Sequence, residues 1–432
     1  MKVKISDIAI LNKSNIDNNN KFKEIKYLDT GSIFEGRVIE YKNFKVGEDI
    51  IPTRAKRLVS DNTIVYSSVR PRLCHYGILD KPSENTVVST GFVTIDAISN
   101  KVNPYYLYYK LIQNEVTEYL AAIADTAVSA YPSITPTDLA NLEIDIIEDI
   151  NEQEKIAMLF KCIDIKIQNN NKINSELESM AKTIYDYWFL QFEFPNEEGK
   201  PYKSSGGKMV WNEELGREIP EGWEVKNVSD FGVLRNGINY DKDSNGDKQY
   251  KIVNVKNISS TTLMIDNSDL DDIVLDSTSA DKYLLSSKDI LITRSGNPGA
   301  IRLLNSNFEN TIFCGFIICL SLKLELYKEF LVYRLKDYEN TSATTSGGTI
   351  LQNVSQDTLK RIKFSVPNKE VLTKFNVKID SIWNLIQRNI LQNQQLSSLR
   401  NFLLPLLMNG QVGFKENINV KEIEVDKEEV LT

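Results

Sequence analysis

The chain has 432 residues, 41% of them hydrophobic and 25% charged, and a formal charge of −8. That length exceeds one ordinary domain core. With no apolar run near the ~18–20 residues of a membrane span, and no export-signal pattern in MKVKISDIAILNKSNID, it predicts a soluble, cytoplasmic protein of more than one domain.

The acidic balance excludes a uniformly basic surface but leaves room for local basic patches. The four cysteines, Cys74, Cys162, Cys314 and Cys319, lack CxxC spacing, so neither disulfides nor structural zinc are expected.

Residues 1–149 read as a mixed α/β domain. Its densest basic cluster is Arg54, Lys56 and Arg57, where phosphate contact and a solvated charge run are equally good readings. The β-branched run Asn62-Thr63-Ile64-Val65-Tyr66-Ser67-Ser68-Val69 reaches Arg70 and Arg72 in a proline-punctuated loop. Arginine in such a loop can read guanine O6 and N7 through two hydrogen bonds. A helical pattern over Pro104–Leu111 is followed by a small-residue loop, 125–132, and Tyr131 and Ser133 stand where the backbone could approach a ligand closely.

Residues 150–192 predict a long helix. Apolar residues recur at heptad steps: Ile156, Ile163, Leu177 and Ile184 in one row, Ile173, Met180 and Tyr187 in another, with Asn170 at the gap in the first. About 36 helical residues span on the order of 54 Å, more than one ~34 Å turn of DNA. The Gly/Pro/Ser-rich stretch 193–222 reads as an exposed, partly irregular linker.

Residues 223–367 then repeat the first domain at a separation of about 220 residues. Val225 to Phe231 parallels Val3 to Ile8, and Lys288 to Ser295 parallels Asn62 to Arg70. Further on, Cys314-Gly315-Phe316 parallels Thr90-Gly91-Phe92, and Lys328 to Leu335 parallels Pro104 to Leu111. The recognition-loop candidates of this half are Arg294, Ser295 and Asn297, with Ser346, Gly347, Gly348 and Gln352 in the small-residue loop. Lys360, Arg361 and Lys363 form a second basic group, for which a solvated surface is the better reading.

Residues 368–409 form the second long helix, in which Ile382, Asn389, Leu396 and Leu403 answer Ile163, Asn170, Leu177 and Ile184. The matching positions favour pairing of the two helices with each other, and a polar seam residue fixes register. The remainder, 410–432, is an acidic tail. The expected fold is α+β: two mixed α/β domains alternating with two long helices, paired as an antiparallel coiled coil in a pseudo-two-fold internal repeat.

This arrangement resembles the specificity subunits of Type I restriction-modification systems along nearly the whole chain. Ile219-Pro220-Glu221-Gly222-Trp223-Glu224 resembles the start of that family's second target-recognition domain. Ile290-Leu291-Ile292-Thr293-Arg294-Ser295-Gly296-Asn297-Pro298-Gly299 resembles a strand and loop within it. The helix openings at Ile150 to Ile156 and Val366 to Glu370 resemble the family's Pro-x-x-Glu-Gln start, without the proline in the first and without the glutamine in the second.

The resemblance implies that each domain reads one half of an asymmetric double-stranded DNA target, that the helices act as spacer, and that two methyltransferase subunits, with or without restriction subunits, dock on the chain. It also implies that S-adenosylmethionine, ATP and magnesium belong to those partners, with no cofactor in this chain.

Two other classes compete. Asn103-Pro104-Tyr105-Tyr106 is superficially similar to the Asn-Pro-Pro-Tyr loop of amino-methyltransferases. The second proline is missing, however, no Gly-rich cofactor turn precedes it, and a helix start accounts for it better. His75 is the only histidine and no phosphate-binding P-loop is present, while isolated acids such as Asp266 or Asp289 carry almost no nuclease signal. A coiled-coil scaffold that does not touch DNA would suit the acidic pI of about 5.2, and salt-sensitive, sequence-selective binding separates it from a DNA reader.

Overall fold

The structure is a computed structural model that describes all residues except 17–21, 127–131, 242–244, 259–261, 296–297, 305–307, 346–353 and 415–432. Within the helix Lys328–Thr345 the side chains of 338 and 340–345 are also left aside. The chain divides into two compact units, one of Met1–Lys166 with Gln395–Thr432, the other of Ile167–Gln394. Among the described residues no helix is long and apolar enough to cross a membrane.

In the first unit an antiparallel sheet runs in the order Ala9–Leu11, Phe92–Ala97, Thr63–Ser67, Tyr76–Leu79. A second sheet runs Lys42–Lys45, Glu24–Leu28, Thr86–Ser89, Ala55–Leu58, with Glu24–Leu28 and Thr86–Ser89 parallel. Every residue of Thr63–Ser67 is buried, which is why that strand reads as a continuous β-branched run rather than an alternation. Helix Pro104–Leu111 starts at Asn103, whose Oδ1 accepts from the backbone N–H groups of Tyr105 and Tyr106. Asn103 is thereby a helix cap.

The second unit repeats this plan. One sheet runs Gly232–Asn236, Ile317–Leu322, Asp289–Thr293, Ile301–Leu304, Met264–Ile265, and the other runs Asp271–Leu275, Lys248–Val253, Thr311–Phe313. The central pair again combines one parallel and one antiparallel neighbour for Lys248–Val253. The short antiparallel pair Lys2–Lys4 with Glu143–Asp145 in the first unit has its counterpart in Glu224–Asn227 with Lys363–Val366.

Two long helices, Ile150–Tyr185 and Lys369–Met408, each contribute to both units. In the first unit Ile156, Phe160, Ile163, Leu404, Leu407 and Met408 are buried. There Arg400 pairs with Asp164 at 2.8 Å, and Asp164 also accepts from the Tyr109 hydroxyl. In the second unit the helices meet through amides. Asn170 donates to Gln392 and Asn393, both at 2.8 Å, Asn389 donates to Asn174 at 2.8 Å, and Asn393 donates to Asn171 at 2.9 Å. Asn170 and Asn389 thus each bond to the opposite helix rather than to one another.

Of the remaining seam residues, Ile382 is buried and Leu177, Ile184, Leu396 and Leu403 are half-buried. The row of Ile173, Met180 and Tyr187 turns outward and is exposed. An α-helix drifts from a strict seven-residue repeat, and the inward line passes instead through Asn174, Ala181, Tyr185 and Trp188, all buried.

Each unit grips the end of a long helix with a cation from the same place in its short helix. Lys110, 5% exposed, donates to the Met408 carbonyl at 3.3 Å and to Asn409 Oδ1 at 3.1 Å. In the second unit the Arg334 guanidinium lies close to the Tyr185 hydroxyl at the end of the other long helix, without a hydrogen bond to it.

The linker departs from expectation. It holds an antiparallel hairpin, Met209–Asn212 with Arg217–Pro220, and Phe194 is buried between Tyr202 and Trp223 with ring centroids 4.6 and 5.3 Å away. Three aromatics close enough to stack outweigh the turn-forming composition that suggested an irregular segment.

Candidate nucleic-acid interface

In the first unit four loop segments are laced together by backbone hydrogen bonds at the end of strand Thr63–Ser67. Ser68 N–H donates to the Gly91 carbonyl at 2.8 Å, Ile134 N–H to the Ser68 carbonyl at 2.8 Å, Arg70 N–H to the Pro132 carbonyl at 2.9 Å, and Thr90 N–H to the Arg54 carbonyl at 2.8 Å. Val69 and Ser133 form an isolated bridge across the same junction. Arg54, Arg70 and Ser133 are therefore brought to one loop cluster.

The turn after the strand is unusual. Arg70 has φ 48° and Cys74 φ 54°, left-handed values held by non-glycine residues at both ends of Pro71–Leu73. Such conformations persist where the surrounding structure over-determines them, and they gather at functional loops.

The second unit builds the same junction. Arg294 N–H donates to the Phe316 carbonyl at 2.9 Å and Val354 N–H to the Arg294 carbonyl at 2.9 Å. Arg294 Nη1 also donates to the Gly315 carbonyl at 3.4 Å, and Gly315 N–H to that of Ile238 at 2.7 Å. The loop 236–239 lies so close to this corner that a side chain at Gly237 would collide with the Phe313 and Cys314 carbonyls. A side chain at Gly315 would collide with Asn239.

The strand registers correct the sequence alignment by one residue. Ser67 faces Phe92 as Thr293 faces Ile317, so Ser68 corresponds to Arg294 and Gly91 to Phe316. The match of Gly91-Phe92 with Gly315-Phe316 rested on a shared dipeptide, but a one-residue slip would put each side chain on the other face.

The other candidates differ in exposure and in pairing. Arg54 and Lys56 are exposed, whereas Arg57 is half-buried, its Nε lacks a partner, and burial lowers its pKa. Arg72 is committed to acids: Nε and Nη2 donate to Glu118 at 3.1 and 3.0 Å and Nη1 to Asp125 at 2.9 Å. Lys360 and Lys363 pair with Asp357 and Glu214, while Arg361 is exposed. Ser295 is half-buried beside Arg294. Tyr131, Asn297, Ser346, Gly347, Gly348 and Gln352 lie outside the described residues.

Residue-type reasoning passed over Phe316, which is 61% exposed at the corner between two buried stretches. The only available signal was a large apolar residue flanked by Gly315 at a turn.

The acids weighed as nuclease candidates have structural partners. Asp289 pairs with Arg235 at 3.1 Å and accepts from Ser286 N–H, and Asp266 caps Ser268 N–H and accepts from Gln394. Among the described residues no group of three or more His, Cys, Asp or Glu could hold a metal ion.

A family model described as Type I restriction modification DNA specificity domain matches residues 1–179 and again 220–399. The chain belongs to this family. Its two matched segments each take in one loop cluster and much of one long helix, so the repeat read from the sequence is a repeat of the specificity domain itself.

Among curated proteins the chain is similar to the Type I restriction enzyme HindI specificity subunit of Haemophilus influenzae, 25% identical over an alignment that covers 91% of this chain and 95% of the relative. It is also similar to the MjaIX specificity subunit of Methanocaldococcus jannaschii, at 25% identity with 86% and 82% covered. Among solved structures, the Type I restriction-modification S subunit from M. genitalium aligns with a TM-score of 0.51 at 14% identity, covering 94% of this chain and 96% of that one. The likeness to the last is one of fold.

Proposed function

We propose that this specificity-family chain is the DNA-reading, non-catalytic subunit of a cytoplasmic Type I restriction-modification complex. It binds an asymmetric, bipartite double-stranded target with one loop cluster per half-site, and it carries two methyltransferase subunits, with restriction subunits as further partners. S-adenosylmethionine, ATP and magnesium belong to those partners.

The observation that carries the reading is the pair of loop junctions. They share a backbone hydrogen-bond frame but present different side chains, Ser68 and Gly91 in one, Arg294 and Phe316 in the other. A shared frame with different base-facing chemistry suits two unlike half-sites. The long helices are read as an antiparallel coiled-coil spacer. Support comes from partners that rise in number on one helix as they fall on the other: Asp164 with Arg400, Asn170 with Asn393, Asn174 with Asn389.

The test is co-expression with a cognate methyltransferase subunit, followed by single-molecule mapping of methylated adenines. A gapped asymmetric motif is expected, and Arg294→Ala should relax one half of it while leaving the other intact, at roughly 1–3 kcal/mol of lost discrimination. Failure to form a complex or methylation by this chain alone would count against the assignment, whereas equal loss of binding to random DNA in the variant would make Arg294 a phosphate contact.

A further inference from the structure

Phe316 exposes a large apolar ring beside Arg294, on a corner whose backbone is held from three sides. Its carbonyl accepts from Arg294 N–H, the preceding Gly315 donates to the Ile238 carbonyl, and a side chain at Gly315 would have to displace that of Asn239. The corresponding residue of the other repeat is Gly91, so the frame itself does not need a ring here.

We propose that Phe316 is a specificity-determining residue that reads a thymine through its C5-methyl group, in the base pair next to the one engaged by Arg294. The inference rests on the DNA-reading assignment and deepens it. In a duplex the base faces are stacked and only the edges are open, and the one apolar group on any major-groove edge is the thymine methyl. An exposed phenyl ring one residue from the carbonyl that holds the Arg294 guanidinium thus pairs apolar with donor recognition on adjacent base pairs. Gly91 offers no such group, and the first half-site lacks this contact.

The experiment uses the full chain in complex with its methyltransferase subunits and duplexes bearing the mapped target, with each thymine of the Arg294-dependent half replaced in turn by deoxyuracil. This removes the methyl and keeps the hydrogen-bonding edge. At one position the wild-type complex should bind about three- to ten-fold more weakly, the worth of one buried methyl or slightly more. Phe316→Ala should bind the thymine duplex with the same loss and no longer distinguish the two. Phe316→Leu, which keeps an apolar tip, should retain part of the discrimination, and unchanged melting temperatures would show that both variants fold.

Wild-type indifference to deoxyuracil at every position, discrimination that survives Phe316→Ala, or a half-site containing no A·T pair would overturn the proposal. A wild-type complex that selects no bipartite duplex would overturn the DNA-reading assignment and this inference with it, an outcome distinct from selective binding that ignores the methyl.

Discussion

The two repeats solve the same backbone problem with different side chains. At the junction after the buried strand, Ser68 bonds to Gly91 and Ile134 in the first unit as Arg294 bonds to Phe316 and Val354 in the second. Those bonds involve only main-chain groups, which any residue but proline supplies, so the frame can be kept while its surface chemistry changes. The same holds at the short helices: Lys110 and Tyr105 in the first unit stand where Arg334 and Glu329 stand in the second. A molecule built this way can change what it reads in one half without rebuilding the other.

The largest expected effect on this comparison is at the helix-end grip. Lys110 is buried and serves the Met408 carbonyl, the last of Lys369–Met408, together with the Asn409 side chain. Lys110→Ala leaves the Met408 carbonyl and Asn409 without their cation and opens space beneath them, a loss of about 2–3 kcal/mol. Arg334 is half-buried and its ion pair with Asp337 is long, at 3.9 Å, so Arg334→Ala should cost less, roughly 1 kcal/mol. Chemical unfolding of the full chain, with hydrogen exchange to place the loss in one unit, would measure both. Equal losses would mean that the two grips are energetically alike despite their different burial.

A second contrast is in pH response. Glu329 is 6% exposed, and burial pushes its carboxyl up to about 7, with Asp380 and Glu325 adding to the rise and Lys328 opposing it. Tyr105, at the corresponding position, sits beneath Lys161 and stays neutral across the same range. Because the folded state holds the Glu329 proton more tightly than the unfolded chain, its contribution is fully present below the ordinary value of 4.5 and fades as pH rises through about 7. Glu329→Gln should therefore stabilise the second unit at pH 8 by on the order of 1–3 kcal/mol and leave pH 4 stability nearly unchanged. A wild-type unfolding midpoint that does not fall between pH 5 and pH 8 relative to the variant would remove the contrast.

How far these features can be read from sequence follows from their physical range. The repeat, the long helices and the buried strand Thr63–Ser67 were legible because they are periodic or continuous over many residues. Asn170 was legible as a seam position, but not its partners: the heptad row gives the face, and only the helix–helix register decides that Asn170 meets Gln392 and Asn393. The outward turn of Ile173, Met180 and Tyr187 was hidden for the same reason. At the loop clusters the sequence located Arg294 and Arg70 but missed the one-residue offset that equates Gly91 with Phe316, because the pairing register is set by strands remote from the shared Gly-Phe dipeptide. The hairpin at Met209–Asn212 and Arg217–Pro220 was masked by turn-forming residues whose neighbours, Phe194 and Trp223, supply its core.

The smallest effect concerns two arginines that looked alike. Arg72 and Arg294 both follow a buried strand, yet Arg72 directs its guanidinium at Glu118 and Asp125, while among the described residues the Arg294 guanidinium makes only a 3.4 Å contact with the Gly315 carbonyl. With three of its five N–H donors held by two carboxylates, Arg72 would set a two-bond contact to guanine in competition with those acids, and that exchange returns little of the discrimination a base contact supplies. Arg72 instead ties the turn that begins at Arg70 to the helix Asn114–Thr126, an exposed tie that solvent screening weakens. Arg72→Ala should accordingly weaken binding by about two- to five-fold through a looser turn, equally on target duplexes altered at each base pair. Titrating that duplex panel with the variant complex decides the matter: a loss confined to one base pair would make Arg72 a reader after all, and would mean that Glu118 and Asp125 release it when DNA arrives.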